Sequence, residues 1–259
     1  MIHIRQEDYD SLERSSELTN PKPVETADAA ASTDTYALRF AGGWGAWLLS
    51  VQAAIILAML PEKRESSVLD VGGGHAQIAP VMREEGHDVR VMVSEEASTE
   101  RLLRSGVPPE DISVGSLMDL PFADRSFDAV VSLRMMAHVK DPAGYVAELC
   151  RVADKAVILD YTCNQGVGRI GTWFYLPKRL IEGDTRRYKI SGRAEIAELL
   201  ERNGFVIDEH QGQFALPVVV HRKLKNPKIS SAIERVLARQ ARRYGNPVLL
   251  RARRVTAAA

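Results

Sequence analysis

The chain predicts an α/β fold, a doubly wound and mostly parallel sheet flanked by helices, and three observations carry that prediction. Ser67-Val68-Leu69-Asp70-Val71 is an apolar strand that runs into an acid and then into Gly72-Gly73-Gly74, a strand-to-helix turn. Phe127 to Leu133 is an apolar run, as a central parallel strand covered on both faces requires. Strand-like and helical segments alternate along most of the 259 residues, 45% of them apolar, which is enough for one large domain with an additional cap.

Residues 1–35 carry eight acids against three bases, with Asn20-Pro21-Lys22-Pro23 and a small-residue run from Ala27 to Thr33. They read as a flexible acidic tail, or as a lid that orders on binding, and residues 36–259 read as a single domain. Ala46 to Leu60 is the strongest apolar stretch. At 15 residues, holding Ser50 and Gln52 and stopping at Pro61, it falls short of the roughly 20 that cross a bilayer and predicts a buried helix packed on the sheet. His75 to Glu85 predicts a helix with Ile78, Val81 and Met82 on one side and its free N–H groups facing a ligand.

Six further strands are predicted: Asp88 to Val93, Ile112 to Val114, Phe127 to Leu133, Lys155 to Leu159, Phe205 to Glu209 and Val248 to Arg253. Asp141-Pro142 starts a helix over Ala143 to Val152, because proline tolerates the first turn. Arg193 to Asn203 is a helix stopped by Gly204. Residues 212–245 form a basic helical insert between the last two strands, with a helix from Ile229 to Arg243 on which Ile233, Val236 and Leu237 share a face.

The formal net charge is +0, so global charge does not nominate nucleic acid as a partner. The distribution is uneven, however: residues 222–254 hold eleven bases against Glu234 alone. The basic helix there reads as a solvated face or as a peripheral contact with an anionic lipid surface, without a transmembrane segment. Cys150 and Cys163 have no metal-like spacing, no metal site is expected, and the thiols read as reduced. No basic segment followed by an apolar core and a cleavage site opens the chain, so the expected location is cytoplasmic.

Glycine has no side chain and takes positive φ, so Gly72 to Gly74 let the backbone pass close beneath a bound molecule. A dinucleotide fingerprint needs Gly-x-Gly-x-x-Gly, and Gln77 stands where its last glycine belongs, which disfavours a nicotinamide cofactor. Asp70-Val71-Gly72-Gly73-Gly74 instead resembles the Asp-x-Gly-x-Gly motif of class I S-adenosylmethionine-dependent methyltransferases. Gly115-Ser116-Leu117-Met118-Asp119-Leu120-Pro121-Phe122 resembles the Gly-Asp-Ala-x-x-Leu-Pro-Phe stretch of the broad branch related to the ubiquinone and menaquinone methyltransferases. The resemblance covers residues 36 to 162 and implies a seven-stranded, Rossmann-like sheet whose final strand is antiparallel.

It also implies a cofactor site for S-adenosyl-L-methionine. Asp70 and the backbone of Gly72, Gly73 and Gly74 would face the amino-acid end, with Ala76 at the family's third small position. An acid at the tip of the second strand accepts from ribose hydroxyls; Glu95 is that residue, with Glu96 as the alternative, because an ungapped match falls on Val93. Ser116 stands for the acid that meets the adenine amino group, Leu117 and Met118 would sandwich the ring, and Leu133 lines the site. Arg39, ahead of Gly42-Gly43-Trp44, pairs with the methionine carboxylate, with substrate, or with solvent alone.

His138 matches the second histidine of a His-His-x-x-Asp-Pro pattern and, with an ordinary pKa near 6.5, reads either as a base or as a residue that packs the loop. Tyr161 orients a substrate hydroxyl or walls the pocket. Residues 164–191 read as a substrate lid with Trp173, Tyr175 and Arg186 as contacts, and His221 is a further pocket candidate. A methyltransferase of base nitrogens would show an Asn/Asp-Pro-Pro-Tyr/Phe loop, and Ser132-Leu133-Arg134-Met135 stands in its place. The expected function is transfer of the methyl group to a small-molecule acceptor, at oxygen or carbon, by in-line displacement. The alternatives are a cofactor-binding module without catalysis, or a lipid-linked or macromolecular acceptor; oligomeric state is left open.

Overall fold

The computed structural model describes residues 26–29, 33, 37–61, 65–163 and 192–255. Seven strands form one sheet: β1 Ser67–Val71, β2 Asp88–Val93, β3 Ile112–Val114, β4 Phe127–Ser132, β5 Ala153–Tyr161, β6 Phe205–Gly212 and β7 Val248–Arg254. Their order is β3-β2-β1-β4-β5-β7-β6. β1 to β5 pair in parallel. β7 runs antiparallel between β5 and β6, as expected, with Val248 opposite both Tyr161 and Gly212.

The central strands alternate their side chains between two cores, which is why they read as apolar throughout. Val68, Val131 and Ile158 face α1 (Gly42–Met59), α2 (Ala79–Glu84) and α3 (Thr99–Arg104) through Ile56, Met59, Met82 and Leu102. Leu69, Val130 and Leu159 face α4 (Pro142–Val152) and α5 (Arg193–Glu201) through Tyr145, Leu149, Ile196 and Leu200. One acid interrupts the β4 run: Asp128, at its start, accepts hydrogen bonds from the Ser67 N–H at 2.9 Å and the Ser67 hydroxyl at 3.2 Å, tying β4 to β1. Asp141 caps α4 by accepting from the backbone N–H groups of Ala143 and Gly144, both at 3.1 Å.

Three expectations are corrected. The helix expected from His75 begins only at Ala79, because Gly73–His75 is a 3-10 turn and Ala76 sits in the left-handed region at φ +54°, which ends that turn. The apolar helix expected over Ala46 to Leu60 as a buried element is longer and only striped. α1 buries Gly45, Leu48, Gln52, Ile56 and Met59, leaving Ala46, Ser50, Ala54 and Ala58 exposed. Its length and apolarity are those of a membrane-spanning helix, yet that stripe packs on the sheet.

The basic helix expected from Ile229 to Arg243 is two helices. After α6 (Val218–Leu224), α7 (Pro227–Val236) and α8 (Ala238–Tyr244) meet at Leu237, whose φ −93° and ψ 13° break the helical run. Val236, expected to share a face with Ile233 and Leu237, is 81% exposed. The insert is held to α1 by His221, whose ring lies 5.1 Å from that of Trp47 and 5.7 Å from that of Phe214.

Candidate cofactor site

The site is built at the carboxyl ends of β1, β2 and β4, where ligands bind in sheets of this kind. Gly72 turns the chain at φ +79°, and its N–H donates to the Met92 carbonyl at 2.8 Å. A Cβ on Gly72 would lie 2.7 Å from the Met135 sulfur, and one on Gly73 would lie 2.3 Å from Asp70 Oδ2. The two positions therefore admit only glycine, because Met135 and Asp70 already pack into the space a side chain would take.

Asp70, at the end of β1, is 2% exposed, and its Oδ2 has no hydrogen-bond partner. Burial pushes its carboxyl up to about 7, against the opposing pull of the Arg134 guanidinium. Arg134 follows β4 at φ +61°, a left-handed conformation that costs a non-glycine residue of order 1 kcal/mol. Its N–H donates to Asp160 Oδ1 at the tip of β5, and its Nη1 donates to Gln77 Oε1. Its guanidinium lies 5.8 Å from the centre of the Phe40 ring, and its Nε is buried without a partner. Burial also raises the Asp160 carboxyl, to about 6, while burial and then the charges of Arg134 and Arg101 depress His75 to about 3.

Asp70, Gly72, Gly73, Gln77, Leu133 and Arg134 enclose a cavity of about 10 Å³, room for about one water. An amino-acid moiety fits the chemistry of this cavity: Asp70 Oδ2 can accept from an ammonium, and the spare Arg134 donor can serve a carboxylate. The cavity is far smaller than a ligand of nucleoside size.

At the tip of β2, Glu95 and Glu96 are exposed, and neither points into the core. The buried acid there is Asp28, which reaches in from a turn over residues 26–29. Its Oδ2 accepts from the Ser94 N–H at 2.9 Å and its Oδ1 from the Ser94 hydroxyl at 2.5 Å. Burial raises its carboxyl above the usual range despite those bonds. This turn lay inside the stretch expected to be a flexible tail, yet Asp28 is fully buried and Ala27 joins the core cluster of Met92, Leu117 and Met118. Reasoning from sequence missed Asp28, because its partner lies 66 residues away and no local pattern links them.

Leu117 and Met118, expected to sandwich the adenine, are buried beside that turn, while Ser116 Oγ accepts from the Met118 N–H at 3.2 Å and so caps its own loop. Leu133 lines the cavity. His138 is half-buried in the loop after β4, its N–H donating to the Met135 carbonyl at 2.8 Å. Tyr161 is buried on β5, its hydroxyl 3.0 Å from His210 Nε2 on β6, and burial pushes that hydroxyl well above the usual phenol range. That places the Tyr161 hydroxyl against the antiparallel side of the sheet, not against the glycine turn.

His221 is fully buried and bonded through Nε2 to Glu234 Oε1 at 2.9 Å, inside the insert, so it anchors that insert and lines no part of the glycine cavity. Arg39 falls in the 3-10 turn Leu38–Phe40, with its side chain outside the described residues. Trp173, Tyr175 and Arg186 also lie outside them. Arg134 is the residue that the pattern reading passed over, though its place directly after the central strand was the available signal.

Residues 69–159 match the methyltransferase domain family. A relative from Mycolicibacterium smegmatis, described as a probable S-adenosylmethionine-dependent methyltransferase, is 30% identical over 148 residues, 57% of this chain and 54% of that protein. The chain thus spans about half the length of that relative. Among solved structures, a possible histamine N-methyltransferase from Thermotoga maritima superposes with a TM-score of 0.56 at 19% identity, covering 84% of this chain and 91% of its own. The magnesium protoporphyrin IX methyltransferase of Synechocystis, solved with S-adenosylhomocysteine bound, does so with a TM-score of 0.56 at 15% identity, covering 95% of both chains. The domain match starts one residue before Asp70 and ends on β5, so it takes in the glycine turn and Arg134 and stops one residue short of Asp160. Residues 69–159 thus belong to the methyltransferase domain family, and the chain has the fold of S-adenosylmethionine-dependent methyltransferases.

Proposed function

We propose that the protein moves the methyl group of S-adenosylmethionine to the oxygen or carbon of a small-molecule acceptor. The observation that supports this most directly is that an unpartnered buried carboxylate oxygen on Asp70 and a spare buried donor on Arg134 line one cavity beside the turn of Gly72 and Gly73. That arrangement suits the ammonium and carboxylate of the cofactor's methionine end. Asp28, the buried acid at the tip of β2, takes the ribose hydroxyls in place of the exposed Glu95. Leu117 and Met118 form the adenine walls.

The cofactor supplies a methyl group already activated on a sulfonium. What remains for the chain is to align the acceptor, exclude water and take a proton from a hydroxyl or carbon acid. His138 is the proposed base, because it is the half-buried histidine of the loop that leaves β4 just after Arg134. Trp173, Tyr175 and Arg186 belong to the acceptor side of this proposal, while Tyr161, held by His210, shapes the pocket through packing.

The test is calorimetry with S-adenosylmethionine and S-adenosylhomocysteine, followed by a panel of phenols, quinols and carbon acids scored for homocysteine-form product and methylated mass. Binding of both nucleosides and methylation of at least one panel member are expected. His138→Ala should lower kcat by about 100-fold or more with the cofactor Kd unchanged, and full turnover in that variant removes His138 from the mechanism.

A further inference from the structure

The insert between β6 and β7 carries an amphipathic helix turned the wrong way for a soluble core. On α7, Ile229, Ala232 and Val236 are spaced i, i+3 and i+7 and share one face. That spacing is the one a core-facing stripe uses. All three are exposed, Val236 at 81% and Ile229 at 47%, while the opposite face holds the buried Ser230 and the inward Glu234. Leu224 at the end of α6 and Tyr244 at the end of α8 add exposed apolar surface at 39% and 50%.

Charge surrounds this stripe with one sign. Lys228 and Arg235 flank it on α7, Lys225 precedes it, and Arg239, Arg242 and Arg243 stand exposed on α8. The single acid of the segment does not offset them. Glu234 is directed inward, where Oε1 accepts from the Leu216 N–H at 3.1 Å and meets His221 Nε2 at 2.9 Å, and Oε2 accepts from the Ala215 N–H at 2.8 Å. The insert therefore turns its only carboxylate inward, is held to α1 through His221 against Trp47, and presents its apolar stripe and its cations outward together.

We infer that this face docks on an anionic lipid surface, with Ile229, Ala232 and Val236 entering the headgroup boundary and the lysines and arginines around them meeting the phosphates. A solvated helix face needs the cations but not the apolar stripe between them, and a nucleic-acid surface likewise reads cations without it. The inference stands independently of the methyl-transfer reading.

The experiment is sedimentation of the full chain with vesicles of phosphatidylglycerol and phosphatidylcholine in equal parts, and with phosphatidylcholine alone, at low and high salt. The expected result is binding to the mixed vesicles that weakens as salt rises, with little binding to the neutral ones. Reversing two cations, Lys228→Glu with Arg235→Glu, should lower partitioning by about 20-fold or more. Removing the stripe, Ile229→Ser with Val236→Ser, should lower it by about tenfold while leaving thermal unfolding in place, since both residues are exposed. Equal binding to neutral vesicles, or none to the mixed ones, overturns the inference. So does a stripe variant that binds like the wild type, which reduces the surface to general polyanion attraction. A stripe variant that instead converts a dimer to a monomer in sedimentation velocity assigns the face to a second copy of the chain and overturns it equally.

Discussion

Two acids in this molecule, Glu234 and Asp70, differ in their surroundings in a way that separates a binding site from a structural joint. Glu234, in the C-terminal insert, has both oxygens engaged by Ala215, Leu216 and His221. Asp70, at the tip of β1, keeps one oxygen without a partner while burial raises its carboxyl to about 7. Folded proteins rarely leave a buried polar atom unsatisfied without a use for it. The satisfied acid holds two elements together, and the unsatisfied one waits for a donor that the chain itself does not supply.

The largest effect expected from this contrast is on the pH dependence of stability. Asp70 holds its proton up to about pH 7 in the folded state and releases it near pH 4 when unfolded, so the folded state binds more protons in between. Its contribution therefore declines as pH rises from about 4 to about 7 and levels off above, roughly 4 kcal/mol in the limit. His75, depressed to about 3, acts in the opposite sense, adding stability as pH rises through about 3 to about 6.5. The difference between Asp70→Asn and wild type isolates the first group. Urea unfolding should show the variant's relative stability growing across that window and flat beyond pH 8; a constant difference at all pH values would contradict the raised carboxyl.

Next in size is Glu234→Ala, which leaves His221 and two backbone N–H groups buried without their acceptor. It should reduce stability by about 3 kcal/mol, seen as a lower urea midpoint, while the folded variant binds S-adenosylhomocysteine as the wild type does. A loss of affinity without a loss of stability would place Glu234 in the site and erase the contrast. The smaller effect sharpens the site itself: Asp28→Asn should weaken S-adenosylhomocysteine binding about tenfold, whereas Glu95→Gln changes nothing measurable by calorimetry. The reverse outcome restores the ribose role to Glu95.

The strand tips were legible because local rules decide them. An apolar run into Asp70 and three glycines fixes a strand and a tight turn, and β2 and β3 fall on the residues their patterns predict, Asp88–Val93 and Ile112–Val114. The helix after the glycines was less legible, since nothing in His75-Ala76-Gln77 announces that Ala76 takes φ +54° and delays α2 to Ala79. Asp28 was hidden by distance along the chain, its bond to Ser94 joining segments that no periodicity connects. In the insert, composition showed the charge but not its orientation. Val236 reads as a core residue by spacing and stands exposed because Glu234, His221 and the α1 aromatics fix the other face inward.

The central claim is that Asp70 is kept unsatisfied for the ammonium of S-adenosylmethionine, and isothermal titration at pH 7 in two buffers of different ionisation enthalpy tests it most directly. The account predicts that S-adenosylhomocysteine binds the wild type with release of a fraction of a proton, as the incoming cation lowers the Asp70 carboxyl below its value of about 7. It predicts further that Asp70→Asn binds about 100-fold more weakly with no buffer-dependent heat. Binding of equal strength in the variant, or a heat that is independent of buffer in the wild type, would contradict it.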